Sequence, residues 1–301
     1  MANRFLRRYL PRGVFWRELL ASAVEVVPFF IEPLIIAIWT GFFFLFWFPG
    51  RRTVRRNLGI ILRGSSPVVN FFRTYRLFWN FAHTFTDTMQ FRVRGMHVDW
   101  EFVGRRNLDR LVANREGAII LTAHMGNYDL GSHLFSKHLH RSITVVRAPE
   151  RDPDTQQFAL AEQEDLRDEM LRVHYNVEPG AIALDLVDAL RRQEIVALQG
   201  DRVVEGVSAF ETTLFDRPVA LPSGPFALAM ATHVSIYPLF VVRIGRRRYR
   251  VITGEPIRCE RTGRDRNADI GRAIDQWRVL LEATIHRHWH QWFTFEPFTV
   301  E

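Results

Sequence analysis

Apolar and polar positions fall into three textures along the chain. The first fifty residues begin with arginines at 4, 7, 8, 12 and 17 and pass into an apolar run from Val24 to Phe48, interrupted by Glu25, Pro28, Glu32 and Pro33. Residues 66–91 place Phe71, Tyr75, Phe78, Phe81, Phe85 and Met89 near helical spacing, which predicts one amphipathic helix packed on a core or beside a lipid entry path. After Arg94-Gly95, short apolar runs alternate with helical patterns. Ala118–Ala123, Ser142–Arg147 and Ile195–Gln199 read as strands. Asn127–His138, Thr155–Val173, Ala181–Arg192, Pro222–Thr232 and Asp265–His290 read as helices. Ser235–Ile244 and Arg248–Gly254 read as a strand pair across Gly245-Arg246-Arg247. This alternation predicts an α/β fold: a central, mostly parallel sheet flanked by helices, preceded by an N-terminal membrane-associated helical segment.

The uninterrupted part of the apolar run, Leu34–Phe48, is fifteen residues long, short of the roughly 20 that span a bilayer. A cleaved signal peptide fits poorly, because arginines rather than a small-residue cleavage site follow. A buried core helix and a spanning or re-entrant membrane anchor remain. Trp39, Trp47 and the arginines on both flanks favour the anchor. With both flanks basic, the positive-inside rule gives no orientation. The expected organisation is a basic and apolar anchor over residues 1–60 and an α/β domain over 61–301.

Composition narrows the partners. Hydrophobic residues make up 47% of the 301, enough for a packed core rather than disorder. The formal net charge is +7, carried by 39 Arg and the single Lys137, and guanidinium suits phosphate and carboxylate. Anionic lipid, an acidic carrier protein and nucleic acid are the candidate partners. No nucleic-acid motif is present and the Phe-rich N-terminus argues against that class, so no nucleic acid is expected. The lone Cys259 excludes an intrachain disulfide and a cysteine zinc cluster. Of His286, His288 and His290 only the first and last share a helix face, and no metal or other cofactor is expected.

The candidate chemistry lies in Leu121-Thr-Ala-His124-Met-Gly126-Asn127-Tyr-Asp129. A strand ends at Ala123, which puts His124 at a carboxyl edge, where ligands bind in open α/β sheets. Gly126 permits a turn and Asn127 can cap the next helix. Asp129 then stands in its first turn, within reach of a histidine on the preceding loop. A neutral imidazole steadied by a carboxylate can take a proton from an alcohol. Without an intervening Ser or Cys, and with no G-x-S-x-G elbow, the pair His124 and Asp129 suits direct attack by an acceptor hydroxyl on an acyl carbonyl. Asp201 and Arg202 follow another strand, as Arg147 ends a third, and these three are candidate substrate-binding groups or structural ion pairs. Pro222-Ser223-Gly224-Pro225 is either a plain helix start or a source of backbone N–H groups from Ser223 and Gly224 for an oxyanion or phosphate. The runs Arg191-Arg192 and Arg246-Arg247-Arg248 are solvated turns or docking points for an acidic partner.

Several blocks together resemble the bacterial lipid A late acyltransferases, the lauroyl/myristoyl transferases of the lysophospholipid acyltransferase-like superfamily. They are Arg55-Arg-Asn-Leu58; His124-Met-Gly-Asn-Tyr-Asp129, where family members often have His-Phe-Gly-Asn-Trp-Glu; Val145-Val-Arg147; Gly200-Asp-Arg202; Phe215 with Pro222-Ser-Gly-Pro225; and Trp292 to Phe298. The stretch Leu166–Pro179 departs from a typical lipid A enzyme, which leaves the acceptor open. The resemblance implies a fatty acyl donor on acyl carrier protein, a membrane lipid acceptor of lipid A or related type, no metal, His124 as base with Asp129 as its partner, and a place on the cytoplasmic side of the bacterial inner membrane. A different lipid acceptor, or a non-catalytic membrane lipid-binding protein, are the competing readings.

Overall fold

The computed structural model describes residues 14–28, 30–149, 153–166, 170–176, 179–204 and 206–300. Four helices come first: α1 (Val14–Val26), α2 (Glu32–Phe46), α3 (Phe48–Ile61) and α4 (Pro67–Arg94). Then follow β1 (Asp99–Val103), α5 (Arg105–Ala113), β2 (Ala118–Thr122), α6 (Tyr128–Leu139), β3 (Ile143–Arg147), α7 (Pro153–Leu166), β4 (Leu171–Tyr175), α8 (Pro179–Arg191) and β5 (Ile195–Gln199). A hairpin of β6 (Ala209–Leu214) and β7 (Arg217–Pro222) leads into α9 (Gly224–Thr232), β8 (Ile236–Gly245), β9 (Arg248–Thr253) and α10 (Arg266–Arg287).

The main sheet has seven strands in the order β1-β9-β8-β2-β5-β3-β4. From β8 to β4 all neighbours are parallel, while β9 runs antiparallel to β8 and carries β1 with it. Side chains alternate across the sheet as the pleat requires. On β2, Ile119 and Leu121 join one core with helices α3, α8, α9 and α10, and Ala118 and Ile120 join a second with α5 and α6. The expected α/β architecture with helices on both faces is therefore present.

Two elements differ from their sequence reading. The single helix expected over Thr155–Val173 is α7 followed by strand β4, because Leu171, Val173 and Tyr175 alternate with Arg172 and His174 and pair with β3. The β6–β7 hairpin carries no Asn-Gly signal; its turn instead holds Phe215 and Asp216 at φ of 54° and 55°, the left-handed pair that matches strand twist.

The apolar N-terminal run is divided. Pro33 lies in the first turn of α2, and Trp47, at φ −92° and ψ 69°, ends it. The axes of α2 and α3 meet at 89°. Among the described residues no single helix is long and apolar enough to cross a membrane; α2 and α3 pass that test only together, as a bent pair. One stripe of α2, comprising Glu32, Ile36, Thr40 and Phe44, is buried, while Leu34, Ile38, Phe42 and Leu45 face outward. Glu32, which interrupts the apolar run in sequence, accepts from Arg246 at 2.8 Å and lies 3.7 Å from Arg247. It thereby ties α2 to the β8–β9 turn.

Helix α4 is set by local signals: Ser66 accepts from the Val69 N–H, Pro67 opens the first turn, and Gly95 closes the last at φ 59°. Its inward face is apolar at Leu77 and Phe78 but polar further on, at His83, Thr84, Asp87 and Thr88. That polar stripe leads to the site.

Candidate active site

His124 stands two residues beyond β2, and Asp201 two residues beyond β5. The strands are parallel neighbours with Thr122 opposite Gln199, so continuing the register sets His124 beside Asp201. His124 Nδ1 lies 2.8 Å from Asp201 Oδ1. The imidazole is 23% exposed and the carboxylate is wholly buried. Burial by itself would raise the Asp201 pKa; the charges of His124 and Arg202, with hydrogen bonds from His124 and Trp292, outweigh it and hold the group well below the usual carboxylate range. An ionised Asp201 fixes the proton on Nδ1 and leaves Nε2 as the basic nitrogen.

The expected pairing of His124 with Asp129 is thus replaced. Asp129 projects from the first turn of α6 and accepts from Arg147 Nη2 at 2.6 Å. Both side chains of this ion pair are about one-third exposed, at 32% and 33%. The physical reason is reach: a residue at the end of an extended strand meets its lateral neighbour in register, while the next helix turns Asp129 toward the end of β3.

The loop between them is tightly held. Gly126 has φ 55°, and a Cβ there would stand 1.8 Å from the Val241 carbonyl oxygen, so only glycine closes this turn. Its N–H donates to Gln291 O at 2.9 Å, and the Asn127 N–H donates to Val241 O at 3.1 Å. Asn127 caps α6 by accepting from the Leu130 N–H at 3.0 Å, as its position predicts. Thr88 donates to the same oxygen at 2.9 Å, and Asn127 Nδ2 reaches Thr84 O and Tyr249 Oη. Behind it, buried Asp87 accepts from Tyr249 Oη at 2.7 Å and Arg243 Nε at 3.2 Å. Burial, resisted by Arg243, raises the Asp87 pKa.

The C-terminal segment covers the loop's other side. Met125 bridges Trp292, and Phe293 N–H donates to His124 O at 2.9 Å. Trp292 Nε1 donates to Asp201 Oδ2 at 2.8 Å. Arg202 Nη2 donates to Phe293 O at 3.2 Å and lies 3.6 Å from Asp201. Trp277 Nε1 donates to Gly200 O at 2.8 Å, fixing the backbone just before Asp201.

Of the sequence-derived site residues, His124, Asp201 and Arg202 form one bonded group, and Asp129 and Arg147 form a second. Ser223 and Gly224 join neither. The Ser223 N–H and Oγ both bond Ser208 O, at 2.9 and 3.1 Å, so that N–H is already committed. The basic runs lie in ion pairs: Arg246 and Arg247 with Glu32, Arg248 with Glu101, Arg191 with Asp188 and Arg192 with Glu194. The role of Trp292 escaped the sequence reading because an indole N–H carries no pattern; only its place in the C-terminal block drew attention.

The chain resembles two proteins named phosphatidylinositol mannoside acyltransferase, from Mycobacterium tuberculosis strains CDC 1551 / Oshkosh and ATCC 25618 / H37Rv. It is 26% and 25% identical to them over 151 residues, 50% of this chain and 46% of each relative. The match therefore spans about half the length of these curated relatives. A family model described as bacterial lipid A biosynthesis acyltransferase matches residues 7–297. With that match covering nearly its whole length, the chain belongs to the bacterial lipid A biosynthesis acyltransferase family.

Proposed function

We infer that the chain moves a fatty acyl group from a thioester donor to a hydroxyl of a membrane glycolipid, with His124 as general base and Asp201 as the group that orients it. The observation that carries this reading is the 2.8 Å contact between His124 Nδ1 and a fully buried carboxylate at the carboxyl edge of the sheet. The acceptor hydroxyl gives its proton to His124 Nε2 as its oxygen attacks the thioester carbonyl. The tetrahedral oxyanion then collapses, the C–S bond breaks, and the imidazolium returns the proton to the leaving thiolate. An ester and a free thiol result. Positioned acid–base help of this kind supplies about 10²–10⁴-fold in rate.

Acyl carrier protein is the donor in this reading, in keeping with the family and with the +7 charge of the chain, which complements an acidic carrier. The acceptor is a lipid A-type glycolipid or, following the names of the mycobacterial relatives, a mannosylated phosphoinositide. The exposed side of α2, with Leu34, Ile38, Phe42 and Leu45, supports placement at the cytoplasmic face of an inner membrane. In the test, purified chain receives acyl carrier thioester and a membrane lipid extract, with thiol release and lipid mass followed together. The native chain is expected to release thiol and add one acyl unit to one lipid class. His124→Ala is expected to fold and to lose about three orders of magnitude in rate. Near-native transfer by that variant refutes the mechanism, and lipid binding without thiol release assigns a carrier instead of an enzyme.

A further inference from the structure

The arginines of α3 line a cavity that the chemistry above does not use. Between Glu32 and Asp87 the chain carries seven arginines and no carboxylate. Three of them, Arg51, Arg52 and Arg55, line a cavity of about 370 Å³ with Phe48, Phe71 and Thr74, where α3 leaves the bend after α2 and packs on α4. Thr74 is fully buried at its floor. Arg51 is held in place: its Nη1 donates to Phe44 O at 2.9 Å, and its guanidinium lies 4.6 Å from the Phe48 ring centre and 5.4 Å from that of Phe44. Among the described residues no acidic side chain lines the cavity. Three guanidinium groups within two turns repel one another, and an anion seated among them removes that repulsion while accepting several charge-assisted hydrogen bonds.

The surroundings identify the anion's source. Phe46 and Phe48 at the bend and Phe72 on α4 are 67%, 61% and 66% exposed, and Leu45 on α2 and Val68 on α4 are exposed as well. A soluble phosphate compound gains nothing from such a border, whereas a lipid places its headgroup among the arginines and its chains along the apolar side chains. We propose that this bend is a docking site for the phosphate headgroup of an anionic membrane phospholipid, separate from the His124–Asp201 site. The proposal rests on the membrane-lipid part of the functional reading and not on the proton relay. It also gives docking a consequence for the site: the Trp47 ring at the bend meets that of Phe295 at a 35° tilt, with centroids 4.9 Å apart, three residues from the Trp292 that holds Asp201.

The experiment measures co-sedimentation of the full chain with vesicles of phosphatidylcholine alone and of phosphatidylcholine containing one-fifth phosphatidylglycerol. Arg52→Gln/Arg55→Gln is compared with the native chain and with Arg261→Gln/Arg264→Gln, which removes the same charge from an exposed loop elsewhere. At about a factor of five per arginine near an anionic surface, the first double variant is expected to bind the anionic vesicles about tenfold to thirtyfold more weakly. The control is expected to stay within about threefold of native. Equal loss in both double variants, or native binding that ignores phosphatidylglycerol, overturns the site. Displacement of the vesicles by millimolar glycerol phosphate at constant ionic strength overturns the lipid source. Thiol release with detergent-dispersed acceptor is read in parallel: Arg52→Gln/Arg55→Gln is expected to match native there. A native chain that binds anionic vesicles through these arginines but releases no thiol sinks the enzymatic reading alone, and a full rate with arginine-independent binding sinks the docking site alone.

Discussion

Asp201→Asn separates the two carboxylates near His124. Asparagine is nearly isosteric and keeps both contacts of the native side chain: its oxygen still accepts from Trp292 Nε1 and its amide nitrogen still meets His124 Nδ1, each 2.8 Å away in the native geometry. The second contact is reversed, however. The amide donates to Nδ1, the ring proton moves to Nε2, and the nitrogen that should take the acceptor's proton is blocked. Where a buried carboxylate behind a catalytic histidine becomes an amide with its geometry intact, the rate falls by about 10⁴, equivalent to about 5.4 kcal/mol of barrier. Complete burial of Asp201 places this site in that regime, because no solvent screens the charge that is lost. Asp129→Asn instead removes the negative charge from the contact with Arg147, a pair about one-third exposed, and leaves the partner of the imidazole in place. Its turnover is expected to fall by no more than about a hundredfold, the effect of one charge-assisted hydrogen bond. The assay is single-turnover thiol release from acyl carrier thioester with lipid acceptor in excess, beside thermal unfolding of each variant. Turnover by Asp201→Asn within tenfold of native, or a larger loss in Asp129→Asn than in Asp201→Asn, refutes the reasoning.

Trp292→Phe keeps most of the ring and removes only the N–H that Asp201 Oδ2 accepts; kcat is expected to fall about tenfold to a hundredfold at similar KM, and adding the change to Asp201→Asn is expected to cost little more, since both act through one relay. Additive losses would assign Trp292 a purely structural part. Gly126→Ala is expected to destabilise the fold by more than about 2 kcal/mol and to abolish transfer, because its Cβ meets the Val241 carbonyl; a soluble variant with native Tm contradicts the loop geometry. His83 and His290 are held neutral down to about pH 4, chiefly by burial and then by Arg243 and Arg76 respectively, against 6.5 for the free side chain. Between those values the unfolded chain binds more protons, so this stability is complete above pH 6.5 and is lost as pH falls toward 4. Thermal scans are expected to show that decline, with a shallower slope in His83→Gln; an unchanged slope removes His83 as its source.

Much of this architecture lies in local patterns. The alternation of short β-branched runs with helical periods determines an α/β sheet, because a strand buried on both faces and a helix buried on one leave different spacings. Ser66, Pro67 and Gly95 bound α4 by their own backbone preferences, and Asn127 caps α6 for the same reason. His124 reads as a site residue because it follows a buried strand directly. The break at Trp47 and the partners of Glu32 are different matters: the apolar run gives its length but not its 89° bend, and Arg246 lies 214 residues from the carboxylate it neutralises.

The identity of the carboxylate on His124 was decided only by the tertiary structure. Along the chain Asp129 is five residues from His124 and Asp201 is seventy-seven. Local reasoning favours the nearer, because sequence order says nothing of which parallel strands are neighbours. Once β5 lies against β2 with Thr122 opposite Gln199, lateral register carries Asp201 to the imidazole. The turn into α6 gives Asp129 to Arg147 instead. Strand order is set by how all the helices share two faces of one sheet, a property of the whole packed core, whereas strand ends, caps and turns are set by the few residues that form them.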